Sequence, residues 1–171
     1  MTMKKGFLLL LGLTLLILAA GCGSDSDSPA TPSTPNDMAA LAGVDVGKGL
    51  FDVNIGVTPE TFDASMGKLA LYLDVIRQTH DGLEAQGAAA DIIVAVRGSA
   101  VTLVTGAASD DVKGLVTTLA GMGVTFEACN VATALTGTPN DAILPEIKVV
   151  GNTFISAIGY QAKGYSPILI Q

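Results

Sequence analysis

Apolar residues recur along the chain with two different spacings, one typical of strands and one typical of helices. Apolar residues on alternate positions over 51–57 predict a first strand. The segment over 91–96, in which Asp91 precedes five consecutive apolar residues, predicts a strand that is covered on both faces. Three further strands are predicted over 124–128, 147–150 and 167–170.

Four helices are predicted between these strands, from apolar residues at helical spacing. The first runs from Thr58 to about His80, and the third is a short helix near 131–135. Capping residues Ser109 and Asn152 begin the second and the fourth, and glycines end both. Strands that alternate with helices imply right-handed crossovers. The predicted fold is therefore an α/β three-layer sandwich with a mainly parallel sheet of about five strands.

Polar and reactive residues follow several of the predicted strands. Ligands of parallel α/β sheets collect beyond the carboxyl ends of the strands, which here fall at 56–58, 97–99, 129–130 and 151–153. The candidate site residues taken from these segments are Arg97, Gly98, Ser99, Cys129, Asn130 and Thr153.

The first 21 residues have a different character from the rest of the chain. Lys4 and Lys5 precede an uncharged apolar run over 7–20, which is shorter than the roughly 20 residues that a spanning helix needs. Such a run is typical of an export signal. The run closes on Leu-Ala-Ala-Gly-Cys at 18–22, which resembles the lipobox of bacterial lipoproteins, although Ala19 stands where leucine is commoner.

The lipobox resemblance implies a signal peptide over 1–21 and lipid attached to Cys22, which would tie the protein to a membrane. The alternative is an ordinary secretory signal with an incidental cysteine. Residues 22–39 are rich in Ser, Thr, Pro, Gly and Asp, a composition that predicts a disordered tether before a domain over 40–171. Gly23 after the anchor resembles lipoproteins of the outer membrane, so we expect a cell-envelope protein that faces the periplasm.

Composition excludes several classes of function. Loss of Lys4 and Lys5 with the signal leaves 7 basic residues against 16 acidic ones, a formal charge of −9. No basic cluster remains, which argues against nucleic acid as a partner, and no glycine-rich nucleotide motif is present. With two cysteines in the chain, one of them expected to carry lipid, neither a disulfide framework nor a cysteine–histidine metal site is predicted, and no cofactor is expected.

Five segments, in their order and spacing, resemble the DsrE/DsrF-like proteins: 50–53, 91–101, 123–129, 144–150 and 161–165. The resemblance covers 50–171 and implies a small α/β sandwich that assembles as a homo-oligomer, often a trimer or hexamer. In the sulfur-relay members a cysteine carries sulfane sulfur as a persulfide between a donor and an acceptor protein. Cys129 matches the cysteine that many members have after the third strand. Arg97 stands where relatives often have histidine, so any proton transfer by that histidine is absent.

Two interpretations of Cys129 are open at this point. As a sulfur acceptor Cys129 would be ionised. The N–H groups of the helix that follows would favour the thiolate, and so would Arg97 if the strands before Cys129 and Arg97 are adjacent. As a core residue it would be a buried small hydrophobe. The corresponding functions are a membrane-anchored sulfur carrier and a non-enzymatic module for small-ligand binding or assembly. A relative that has lost the family chemistry is a third possibility.

Overall fold

A wholly parallel five-stranded sheet forms the centre of the structure, a computed structural model that describes residues 35–171. The strands lie in the order β4-β3-β2-β1-β5. They are β1 (Val46–Val53), β2 (Ala89–Val96), β3 (Thr125–Cys129), β4 (Ile147–Val150) and β5 (Ser166–Ile170). The parallel α/β sandwich predicted from the sequence is confirmed. The expected signal peptide over 1–21 and the lipid site Cys22 lie outside the described residues.

Four α-helices connect the strands: α1 (Phe62–Ala85), α2 (Asp110–Gly121), α3 (Asn130–Thr136) and α4 (Thr153–Ala162). A 3-10 helix over Gly98–Val104 follows β2, and a second one over Asn140–Ala142 precedes β4. The predicted caps are confirmed: the Ser109 side chain accepts from the Val112 N–H, and that of Asn152 accepts from the Phe154 N–H. Among the described residues, no helix has the length and apolar character needed to cross a membrane.

Both limits of β1 and of α1 differ from the sequence prediction: β1 ends at Val53 rather than at residue 57, and α1 begins at Phe62 rather than at Thr58, with Thr61 at the N-cap position. Strand β1 spans Val46–Val53, because residues as polar as Lys48 pair in register with β2. Helix α1 continues past His80 to Ala85, since Leu83 still packs against the core. A Cβ atom at Gly47 would lie 2.7 Å from a Leu83 methyl carbon, so a larger residue there would require the Leu83 side chain to shift.

The two faces of the sheet are covered unequally. On the first, here called the core face, α1, α2 and the first 3-10 helix bury an apolar core that includes Val53, Leu73, Val94, Val101 and Leu119. On the second, here called the α4 face, the buried cluster consists of Leu50, Ile93 and Ala95, which lie beneath Ala157, Tyr160 and Tyr165. The compact unit that contains both faces spans Asn36–Gln171.

Candidate functional site

A cavity of about 340 Å³ opens at the carboxyl ends of β2 and β3. It brings together five of the predicted site residues: Arg97, Gly98, Ser99, Cys129 and Thr153. The remaining lining consists of Val131, Ala132, Leu135, Thr136, Asn152 and Phe154. This cavity therefore lies where ligand sites of parallel sheets are found, beyond the carboxyl ends of the strands.

Cys129 ends β3 and has 5% of its surface exposed. It pairs with Val150, the last residue of β4, so the first turn of α4 starts close to the thiol. Burial acts to raise the pKa of the Cys129 thiol, but the backbone N–H and hydroxyl of Thr153 and the N–H groups of Ala132 and Val131 outweigh it. The pKa of Cys129 consequently lies below that of an ordinary cysteine, which favours the thiolate.

Thr153 is the first residue of α4 and is 2% exposed. Its hydroxyl has no partner with ordinary hydrogen-bond geometry among the described residues, yet it acts on the Cys129 thiol to lower the pKa. A buried hydroxyl without a partner costs about 1–3 kcal/mol. This hydroxyl lines a cavity that already holds a thiol, and among the described residues it has no other polar partner there.

Arg97 lies beside Cys129 because β2 and β3 are adjacent, with Val96 paired to Ala128. Its guanidinium is occupied by Asp52: Nε lies 2.6 Å from Oδ1 and Nη2 lies 2.9 Å from Oδ2. The same group stacks on the Phe154 ring, with 5.1 Å between Cζ and the ring centroid. The charge of Arg97 is thus balanced within the protein, and its role as a thiolate stabiliser stays a prediction.

Gly98 and Ser99 shape the cavity through the backbone. Gly98 has a φ of +59°, and a Cβ there would lie 2.5 Å from the Asn54 Oδ1 atom, so this position requires glycine. The Ser99 hydroxyl accepts from the Val57 N–H at 2.9 Å, which fixes the segment after β1. Both residues therefore set the position of the loop that borders the cavity.

Asn130, in contrast, does not belong to the cavity lining. Its side-chain oxygen accepts from the Asn140 Nδ2 atom at 2.7 Å, and its own surface is exposed. Because β3 ends at Cys129 and α3 begins at once, the next side chain turns toward the second 3-10 helix. Asn130 therefore supports a turn in this structure.

Sequence reasoning did not identify Glu127, a 5% exposed carboxylate in the middle of β3. Its Oε1 atom accepts from the Tyr160 hydroxyl at 2.8 Å, while Oε2 has no partner among the described residues. Burial and the Glu127 carboxylate raise the pKa of Tyr160 to about 12. The signal in the sequence that could have identified Glu127 was its position as an acidic residue inside a largely apolar strand.

Asp52 was also missed, although it lies within β1 and pairs in register with Ala95 on the neighbouring strand. That register puts its carboxylate within reach of Arg97, which follows β2. No group of three or more histidine, cysteine, aspartate or glutamate residues suited to holding a metal ion occurs over 35–171.

Comparisons with known proteins identify the fold. No family model matches the sequence, and no curated protein matches it. Among solved structures, MTH1491 of Methanobacterium thermoautotrophicum, a protein of unknown function, matches with a TM-score of 0.60 and 20% identity. The YchN protein of E. coli matches with a TM-score of 0.50 and 13% identity. Each match covers 72% of this chain and 99% of the other. These likenesses support the fold expected from the sequence, and the domain has the DsrE/DsrF-like fold.

Proposed function

We propose that this protein handles sulfane sulfur, which Cys129 accepts and holds as a persulfide. The observation that carries the proposal is the thiol itself, which borders a cavity and has a lowered pKa beside the unpartnered hydroxyl of Thr153. Cys129 also belongs to the buried apolar cluster of the core face, where burial by itself would raise the pKa of the thiol. The thiolate is the form that attacks sulfur–sulfur bonds.

The chemistry needs no external oxidant or reductant, because one sulfur–sulfur bond replaces another. The Cys129 thiolate attacks the sulfane sulfur of a donor, and a new bond forms between Sγ and that sulfur. The donor's own sulfur–sulfur bond breaks, and its electron pair leaves with the donor thiolate. Attack by an acceptor thiolate on the outer sulfur then regenerates the Cys129 thiolate.

Within this proposal the Thr153 N–H and hydroxyl at the start of α4, together with the Val131 and Ala132 N–H groups at the start of α3, stabilise negative charge on sulfur. They face Cys129 before any donor arrives, so no reorganisation is needed during transfer. Arg97 would add to the stabilisation of the thiolate through its fixed position beside Cys129, although it shares its charge with Asp52.

The test uses the full chain with Cys22→Ser, purified in detergent, so that Cys129 is the single thiol. After treatment with excess inorganic polysulfide, intact-mass spectrometry should show a gain of about 32 Da per sulfur atom. The gain should disappear on addition of free cysteine as acceptor. The Cys22→Ser, Cys129→Ser chain is the control. Equal uptake by that control, or a Cys129 that stays unmodified until the chain is unfolded, would refute the proposal.

The envelope location belongs to the same proposal. Lipid on Cys22 would hold the domain at a bacterial membrane, outside the cytoplasm and facing the periplasm, where its donor and acceptor proteins would also have to be. Metabolic labelling with a radioactive fatty acid tests the anchor: wild-type chain should carry the label, and Cys22→Ser should not. Label on both chains would contradict lipidation at Cys22.

A second function, assembly with further copies of this chain, is favoured by a different observation. Helix α4 exposes 59% of Phe154, 71% of Ile155 and 70% of Ile158, and none of its residues is charged. A neutral helix on a chain of net charge −7 lets a second copy approach without like-charge repulsion at the contact. Such an apolar surface is typical of an interface.

Light scattering on a sizing column tests assembly in the full Cys22→Ser chain. Ile155→Glu should lower the molar mass, because burying a carboxylate in an apolar contact is unfavourable. Leu71→Glu is the matched control, since Leu71 is 62% exposed on α1, and it should leave the mass unchanged. Equal effects of both substitutions would contradict an α4 interface.

A further inference from the structure

We infer that the cavity at Cys129 selects neutral sulfane-sulfur donors with hydrocarbon substituents, of the organic trisulfide class R–S–S–S–R, over anionic donors such as thiosulfate. The inference rests on the proposed sulfur-handling function and adds its substrate class. It is drawn from the charge and the apolar surface of the cavity lining, and from the unpartnered Thr153 hydroxyl that points to a ligand beside the thiol.

The lining of the cavity carries no free positive charge. Arg97 and Cys129 are its two ionisable side chains. Arg97 binds both carboxylate oxygens of Asp52 and stacks on Phe154, so its charge is balanced and its planar face is covered. With Cys129 ionised, an approaching dianion such as thiosulfate meets a like charge and no unpaired cation. The net charge of the chain, −7, adds to that repulsion.

The walls of the cavity are suited to hydrocarbon. Val131, Ala132 and Leu135 of α3 form one side, and Phe154 of α4 stands on the other. Val131 is 46% exposed and Leu135 is 84% exposed, so a ligand would cover apolar surface that water now contacts. Each methylene that a ligand buries there should favour binding about fourfold. At about 340 Å³ the cavity is within the size range of small-molecule sites.

Transfer from such a donor balances in two steps, the first between the donor and the Cys129 thiolate alone and the second with one further thiolate as co-reactant. The Cys129 thiolate attacks the central sulfur, a bond forms between Sγ and that sulfur, and one outer sulfur–sulfur bond breaks. Its electron pair departs as the thiolate RS⁻, which leaves Cys129 joined to the central sulfur and the second RS group. An acceptor thiolate then attacks that second RS sulfur, which yields a mixed disulfide and leaves the central sulfur on Cys129 as a persulfide anion.

The experiment compares rates of modification of the full Cys22→Ser chain by thiosulfate, dimethyl trisulfide and dipropyl trisulfide, followed by intact mass. Each rate is divided by that of the same chain unfolded in urea, which cancels the intrinsic reactivity of the donor. We expect the folded-to-unfolded ratio to rise about 16-fold from dimethyl to dipropyl trisulfide, because one propyl group buries two more methylenes than a methyl group does. The ratio for thiosulfate should be the lowest of the three. A thiosulfate ratio equal to that of the trisulfides would overturn the inference.

Two variants separate the causes. Leu135→Ser should flatten the preference for dipropyl trisulfide, whereas Leu71→Ser, at an exposed position of α1 outside the cavity, should leave it unchanged. Asp52→Asn, which frees the Arg97 charge, should raise the thiosulfate rate about fivefold. The inference would be overturned if Leu135→Ser kept the preference for dipropyl trisulfide and Asp52→Asn kept the thiosulfate rate. Sulfur uptake from excess polysulfide would in that case still support the proposed function. Failure of every donor to load Cys129 would instead refute the proposed function.

Discussion

The core face and the α4 face of the sheet are built from the same five strands, yet their chemistry differs. The core face meets α1, α2 and the first 3-10 helix through large side chains that are almost fully buried, such as Leu69, Leu73 and Leu119. The α4 face carries Asp52, Asp91 and Glu127 beside its small apolar cluster, and one helix covers it. Buried carboxylates therefore lie on the α4 face, whereas the candidate site at the carboxyl edge of the sheet borders both sides, since Cys129 belongs to the core-face cluster.

The largest expected effect falls on the core face. Leu73→Ala removes a side chain that is 1% exposed and should lower the free energy of unfolding by about 3 kcal/mol. Ile158→Ala is the matched change on the α4 side, where the side chain is 70% exposed, and it should cost less than about 0.5 kcal/mol in the monomer. Urea unfolding measures both. Equal losses would remove the distinction between the two faces.

The next effect concerns the buried polar pair of the α4 face. Tyr160→Phe removes the hydroxyl that donates to Glu127 and leaves both oxygens of a buried carboxylate without a partner. We expect a loss of about 2 kcal/mol at pH 7. The double variant Glu127→Gln, Tyr160→Phe is the control. It removes the Glu127 charge together with the hydroxyl that donates to it, so it should recover part of the loss. A free energy of unfolding that is unchanged in Tyr160→Phe would show that this pair does not stabilise the fold.

A pH effect should distinguish the two faces as well. Burial and the carboxylates of Glu127 and Asp91 raise the pKa values of Tyr160 and Tyr165 to about 12 in the folded protein. In the unfolded chain the pKa of tyrosine is about 10, so the folded state holds these protons more tightly. Their contribution to stability is complete below pH 10 and is lost as the pH rises toward about 12. Thermal unfolding should show that loss, and it should be smaller in Tyr160→Phe.

The smallest change is expected at the thiol. Thr153→Val removes the hydroxyl that helps to lower the pKa of Cys129 and keeps the backbone N–H, so the pKa should rise. Pulse alkylation of the full Cys22→Ser chain across pH measures the midpoint. Thr136→Val, at another threonine of the cavity lining, should leave it unchanged. A midpoint that is the same in wild type and Thr153→Val would show that the hydroxyl does not act on the thiol.

The sequence was sufficient for the parts of the fold that local patterns dictate. A continuous apolar run predicted β2, and the capping side chains Ser109 and Asn152 marked the starts of α2 and α4. Strand β1 and helix α1 were placed less well, because register with β2 and the contact of Leu83 set their limits. Such contacts join residues far apart in the chain, and no local spacing reports them.

For the candidate site, the sequence by itself determined the residues at the carboxyl ends of β2, β3 and β4, because polar residues and helix starts follow these strands directly, whereas it placed the end of β1 several residues too late. It therefore placed Cys129, Arg97 and Thr153 at the same edge of the sheet. Only the tertiary structure decided that Asp52 balances Arg97, that Thr153 faces the thiol with a free hydroxyl, and that Asn130 turns away. The physical reason is that charge pairing and desolvation depend on distances between strands and helices, which strand order and register set and which no single segment encodes.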